Sequence, residues 1–265
     1  MVRRPLEHNH LGPDTLLVAS DTTSKEELAA HVVEELRDLI TGVKCVLFDF
    51  DGPICRLFAG HRAHAVAESL IDWLEERGQH VLLTDEERES GDPHAVLRAV
   101  DLIHPGSELV EELEERLTAE ELHATATAWP TPHADPLVRT WRAVGVRLAI
   151  ATNNSPKVVE RYLADRGLTE AFGPHIHGRT TELDLLKPDP DCLHRALAST
   201  GTRPGDALMI GDTPSDLEAA NRAGVRFLGY GRDEPRIRRL HRAGATTVVD
   251  SLEPVLALVR RLGQA

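Results

Sequence analysis

The sequence predicts an α/β protein: a doubly wound, Rossmann-like parallel sheet with an all-helical cap inserted after the first strand. Apolar runs of strand length at 43–48, 146–152, 206–212, 225–230 and 246–250 alternate with helical stretches at 135–144, 155–166, 190–200, 214–223, 235–243 and 251–262. That rhythm belongs to strand–helix–strand units on a parallel sheet. The first run, VKCVLF, is continuously apolar, as a strand covered on both faces must be. Residues 61–130 break the rhythm, offering helical segments (HRAHAVAESLIDWLEE, PHAVLRAVDLIH, GSELVEELEERL, TAEELHATATA) and no strand candidate. The expected organisation is therefore an extension over 1–41, a core from 42–60 and 131–265, and a cap over 61–130.

Length and composition set the frame. The 265 residues suffice for one large α/β domain, or for a main domain and a small accessory one. Forty-three acidic residues against 30 basic ones give a net charge of -13, which repels nucleic acid while leaving room for a local basic pocket. Cys45, Cys55 and Cys192 form no CxxC pair, so neither a disulfide framework nor a zinc cluster is expected, and a reduced, cytoplasmic setting is. The N-terminal MVRRPLEHNHLGPD lacks the apolar core of a secretory signal, and no run reaches the ~20 apolar residues of a membrane span.

Residues 1–23 are polar and turn-forming, and are expected to be loosely ordered. Ser24 and Glu27 then have capping-box spacing, and Leu28, Val32, Leu36 and Leu39 share one face of a helix that Gly42 ends. This added helix suits packing or self-association, so a monomer or homodimer is expected.

The chemistry gathers at the strand ends. Asp49-Phe50-Asp51-Gly52 closes the first strand, at the sheet edge where doubly wound folds bind ligands. Two carboxylates there need neutralising charge, which a hard cation such as Mg²⁺ supplies. A helix-capping aspartate beside a turn glycine is the plainer reading of these four residues alone. The second strand ends Thr152-Asn153-Asn154, a hydroxyl and an amide able either to dock an anion or to cap the helix near Ser155. Lys187 stands in LLKPDPD, held extended by Pro188 and Pro190. A further strand ends Gly211-Asp212-Thr213-Pro214-Ser215-Asp216.

Taken in order, DFDG, ATNN, KPDP and GDTPSD resemble the four motifs of the haloacid dehalogenase superfamily, over roughly residues 43–232. The capped branch of phosphoglycolate phosphatases and phosphomutases is the most similar. The resemblance implies Asp49 as nucleophile, forming an aspartyl-phosphate, and Asp51 as acid and then base. It implies that Asp49, the Asp51 backbone carbonyl and Asp212 hold Mg²⁺, with Asp216 as an outer or orienting group. Thr152, Asn153 and Lys187 would bind phosphoryl oxygens. Dehalogenases of the family lack an acid at the Asp51 position, so dehalogenation is disfavoured. Pro53, where relatives often have Thr or Val, departs from the pattern and removes an N–H donor.

Substrate choice is assigned to the cap and its approach, where Arg56 and His61 are the candidates, with Arg62, His64, His94 and Arg98 behind them. Trp73 and Trp129 read as core or hinge packing. The expected activity is Mg²⁺-dependent hydrolysis of a small phosphorylated metabolite. The alternatives are a phosphomutase of the same superfamily and a non-catalytic phosphate-metabolite binding module.

Overall fold

The computed structural model describes residues 33–263. The expected Ser24–Glu27 capping box, Leu28, Val32 and the polar segment 1–23 lie outside the described residues. Residues 33–40 are helical (α1), and Leu36 and Ile40 on that helix are fully buried.

In chain order the strands are β1 (Cys45–Phe48), β2 (Cys55–Arg56), β3 (Trp129–Pro130), β4 (Arg147–Ala151), β5 (Ile176–His177), β6 (Ala207–Gly211), β7 (Arg226–Tyr230) and β8 (Val248–Val249). Six of them form a parallel sheet in the order β5-β4-β1-β6-β7-β8, which puts β1 between β4 and β6. The helices that follow α1 are α2 (Ala63–Glu76), α3 (Asp85–Glu89), α4 (Pro93–Ile103), α5 (Glu108–Thr125), α6 (Ala134–Ala143), α7 (Pro156–Asp165), α8 (Thr169–Phe172), α9 (Asp191–Thr200), α10 (Pro214–Ala223), α11 (Glu234–Arg242) and α12 (Glu253–Leu262).

The continuous apolar character of β1 has its explanation in two cores. Val46 and Phe48 point to one face of the sheet, into a cluster shared with α6, α7 and α12. Cys45 and Leu47 point to the other, against residues of α9 and α10. A strand sandwiched in this way exposes neither face, so its polar residues are confined to its ends. That is where Asp49 and Asp51 fall.

The inserted helices build a third cluster of their own. Val66, Leu70 and Leu74 of α2, Val96, Leu97 and Val100 of α4, and Leu113 and Leu117 of α5 are all buried in it. Leu183 and Leu186, in the segment that leads to Lys187, are buried in the same cluster. The helical unit is thereby seated beside the carboxyl edge of the sheet.

Some elements differ from the sequence expectation. The segments read as GSELVEELEERL and TAEELHATATA form one 18-residue helix, α5, because Thr118 and Ala119 continue the turn without a break. Short β2 and β3 pair antiparallel at the two roots of the insertion, so a strand does occur just inside 61–130. β5 was not expected; two residues beside β4 carry too little pattern to signal a strand. Helices α3 and α8, of five and four residues, were also unforeseen. Among the described residues no helix is long and apolar enough to cross a membrane.

Candidate active site

Asp49 follows directly on β1, and its backbone N–H donates to the Ile210 carbonyl of β6 at 2.9 Å. The chain then turns sharply. Gly52 has φ of 114°, and a Cβ there would meet the Asp212 carboxylate at 2.4–2.8 Å, so only glycine lets these two strand ends approach. Pro53 fits the same turn. The amides of Gly52, Ile54 and Cys55 close it, donating to the Cys55, Phe50 and Phe50 carbonyls on either side of the proline. Thr131, at the far root of the insertion, donates its hydroxyl to the Gly52 carbonyl at 2.5 Å.

Lys187 sits at the centre, 2% exposed. Its ammonium donates to Asp49 Oδ1 at 2.9 Å, to Asp216 Oδ1 at 2.5 Å and to the Ala151 carbonyl at 3.0 Å, which uses all three of its protons. Burial alone would lower its pKa, but Asp216 and Asp49 outweigh that and hold the ammonium charged. Asn153 fixes the lysine from behind. Its side-chain oxygen accepts from Lys187 N at 2.8 Å and its amide donates to Lys187 O at 3.2 Å. The Asn153 side chain thus grips the Lys187 backbone, where the sequence expectation had it as a phosphate ligand.

Asp216 is fully buried. Besides the lysine, it accepts from the Asp212 and Thr213 amides at 3.2 and 3.0 Å and from the Thr213 hydroxyl at 2.7 Å, closing the capping box of α10. Carboxylate oxygens of Asp49, Asp212 and Asp216 lie within 4.8 Å of one another. Burial pushes the Asp212 carboxyl up, and Asp49, Asp216 and Asp51 push it further. Burial likewise raises Asp49, with Lys187 opposing. Three carboxylates crowd together here, and the donors they offer are all oxygens. Such a set suits a hard divalent cation.

Asp51 stands slightly apart, its Oδ1 accepting the Leu57 amide at 2.8 Å. Burial raises it to about 6, with the Leu57 bond opposing and Asp49 adding to the rise. The buried Thr152 hydroxyl donates to Asn154 Oδ1 at 3.1 Å and accepts from Asn154 N at 3.2 Å. Asp49, Asp51, Thr152, Lys187, Asp212 and Asp216 all border one cavity of about 460 Å³.

The approach residues divide. Arg56 borders a second, adjoining cavity of about 280 Å³, its guanidinium 5.2 Å from the Trp129 ring centre. Arg62 borders it too. His61 lines neither cavity, because it turns toward α5, bonding Glu120 at 2.7 Å and packing edge-on against His123. His64 is exposed beside Glu68, whereas His94 and Arg98 do line the main cavity. Trp73 is buried in the helical unit, but Trp129 is 60% exposed and no core residue.

A buried polar network joining the helical unit to the core was not foreseen. Glu121 of α5 takes both Nη groups of Arg179 at 3.1 Å, the Asn154 amide at 2.8 Å and the Ser155 backbone N–H at 3.2 Å. His94 of α4 reaches the same carboxylate at 3.2 Å. In sequence, a lone arginine in GRTT and one glutamate among many on α5 give no signal.

The network predicts a pH dependence of stability. Burial would lower His94, but its bonds to Asp92 and Glu121 raise it to about 9. The unfolded value is about 6.5. This group's contribution is therefore complete below about 6.5 and is lost as pH rises through about 9. A thermal melt series from pH 6 to 10 should show that decline, and His94→Gln should remove it.

Strand-end acids, a buried lysine and a turn glycine thus meet at the carboxyl edge of a doubly wound sheet. The chain belongs to the haloacid dehalogenase-like hydrolase family, whose model matches residues 43–224. Phosphoglycolate phosphatase 1 of Pseudomonas aeruginosa is 36% identical over 114 residues, 42% of this chain and 40% of that protein. The phosphoglycolate phosphatase of Haemophilus influenzae is 24% identical across 77% of this chain and 82% of its own. The chain spans about half the length of the first curated relatives it matches. Among solved structures, CbbY from Rhodobacter sphaeroides in complex with phosphate superposes with a TM-score of 0.59 at 22% identity, covering 82% of this chain and 99% of that one. At that identity the likeness bears on the fold alone.

Proposed function

We propose that the protein is a Mg²⁺-dependent phosphatase of small phosphorylated metabolites, acting through an aspartyl-phosphate on Asp49. One observation carries this reading: Asp49 is held by the Lys187 ammonium at 2.9 Å and borders the same cavity as Asp51, whose acid is raised to about 6. A nucleophile and a proton carrier need such unlike environments. Asp49 attacks phosphorus. Asp51 gives its proton to the departing alkoxide, then takes one from the water that attacks the acyl-phosphate. Lys187 and Thr152, whose protons rest on Asp49 and Asn154 before substrate enters, turn them to phosphoryl oxygens as charge shifts onto these, with the Asn153 main chain beside them. Asp49, the Asp51 carbonyl and Asp212 are the residues that would hold Mg²⁺, which neutralises the phosphate's approach to the acids. Asp216, its oxygens taken by Lys187 and two amides, positions rather than ligates.

In this reading α2–α5 are a cap that screens the site from water, and the β2–β3 ribbon is its root. The names of the curated relatives point to phosphoglycolate-like monoesters as first candidates. The test is phosphate release from a panel of metabolite phosphates. We expect turnover with Mg²⁺ that EDTA abolishes and added Mg²⁺ restores. Isomerisation of hexose phosphates without phosphate release would point to a mutase, and tight binding with no turnover to a binding module.

A further inference from the structure

The second cavity, of about 280 Å³, is bordered by Arg56, Arg62, Arg232 and Arg236. Four guanidinium groups on one cavity are unexpected in a chain of net charge -13. They come from separate parts of the fold: Arg56 from β2, Arg62 from the start of the insertion, Arg232 from the loop after β7 and Arg236 from α11.

Their compensation is incomplete. Asp233 pairs with Arg236 and lies 3.7 Å from Arg232, but its other oxygen is occupied in capping α11 through Arg236 N at 3.0 Å. Asp51 and Asp212 also border the cavity, but in the reading above they are committed to the reacting centre. Arg56 Nε is buried with no hydrogen-bond partner. Arg232 is held below the usual arginine range by burial and by the neighbouring Arg236 and Arg56, the mark of cations that repel one another.

The two cavities adjoin. Asp51, Phe58, Ala63, Asp212 and Arg236 border both, so one small molecule can occupy the two together. We propose, resting on the phosphatase reading for the first cavity, that the arginine-lined cavity binds a second phosphoryl group of the substrate, which makes small bisphosphates the preferred substrate class. A carboxylate matches one arginine fork and leaves the other guanidinium groups facing each other. A phosphate dianion offers three acceptor oxygens and twice the charge, which suits several forks at once.

The test uses a matched set on one three-carbon spacer. Equilibrium binding of propane-1,3-diyl bisphosphonate, 4-phosphonobutanoate and propylphosphonate is measured by calorimetry with Mg²⁺. Hydrolysis of propane-1,3-diol bisphosphate and propyl phosphate is followed alongside. The bisphosphonate should bind at least about tenfold more tightly than either competitor, some 1.4 kcal/mol. In Arg232→Gln and in Arg62→Gln, both at exposed positions, the ratio of bisphosphonate to propylphosphonate affinity should fall toward one. Equal affinities in the wild type, a preference for the carboxylate, or an unchanged ratio in both variants would overturn the proposal. Because binding needs no turnover, a retained preference without hydrolysis would sink the phosphatase reading and leave the second phosphoryl site standing.

Discussion

Asp49→Asn is expected to lower turnover by on the order of 10⁴-fold or more, the scale on which a nucleophile working within a cooperating set is lost. The amide cannot form an acyl-phosphate, and in this reading the neighbouring acids are committed to other roles, Asp212 to the metal. Asp216 is fully buried and bound to Lys187 and to two backbone amides, while Asp51 has one oxygen on the Leu57 amide and serves as the proton carrier. Folding should respond in the opposite sense. Asp49, Asp212 and Asp216 crowd within 4.8 Å, and burial holds the first two above their usual range. Removing one charge relieves repulsion, and the amide oxygen can still accept from Lys187. The melting temperature in metal-free buffer should therefore be equal to the wild type or higher. Activity within tenfold of wild type would show that Asp49 is not the nucleophile. A large fall in melting temperature would show that its charge is structural.

The second large effect concerns stability. Arg179→Met is expected to cost about 3–5 kcal/mol, the range for removing one partner of a buried ion pair. The Arg179 side chain is fully buried. It donates to Glu114 at 3.0 Å, to Glu121 twice at 3.1 Å, to the Thr118 hydroxyl at 2.9 Å and to the Asn153 carbonyl at 2.9 Å. Without it Glu121 keeps only His94 and two amide-type donors for a buried negative charge. Burial would raise Glu121, yet Arg179 and His94 bring it down to about 2. The same bonds hold Asn153, whose side chain grips Lys187, so kcat should fall as well. Urea unfolding measures the first effect, and a loss under about 1 kcal/mol, the value of an exposed pair, would contradict it.

Much of the site was legible in sequence because its residues follow apolar strands. A buried strand tolerates acids only at its end, so Asp49, Thr152 and Asp212 were marked by the runs before them. Lys187 was marked by the prolines that hold it extended. Arg179, Arg232 and Arg236 had no such frame. Arg179 follows the two-residue β5, too short to be seen, and its partner Glu121 is one of several glutamates on α5. Arg236 lies in PRIRRLHR, where a half-buried arginine bordering a cavity looks the same as a solvated one. The continuity of α5 was hidden for a related reason: Thr118, a weak helix former, is held there by its hydrogen bonds to Glu114 and Arg179. His61 shows the converse. Its place in the chain suggested the entrance, but Glu120 and His123 draw it aside.

The covalent role of Asp49 is tested most directly by trapping. The enzyme is mixed with a turned-over phosphate ester and Mg²⁺, quenched, and reduced with borohydride, which converts an acyl-phosphate to the alcohol. Peptide mass spectrometry then locates the reduced residue. The account predicts homoserine at position 49, dependent on substrate and absent without Mg²⁺. Reduction at Asp51 or Asp212, or turnover with no reducible residue anywhere in the chain, would contradict it.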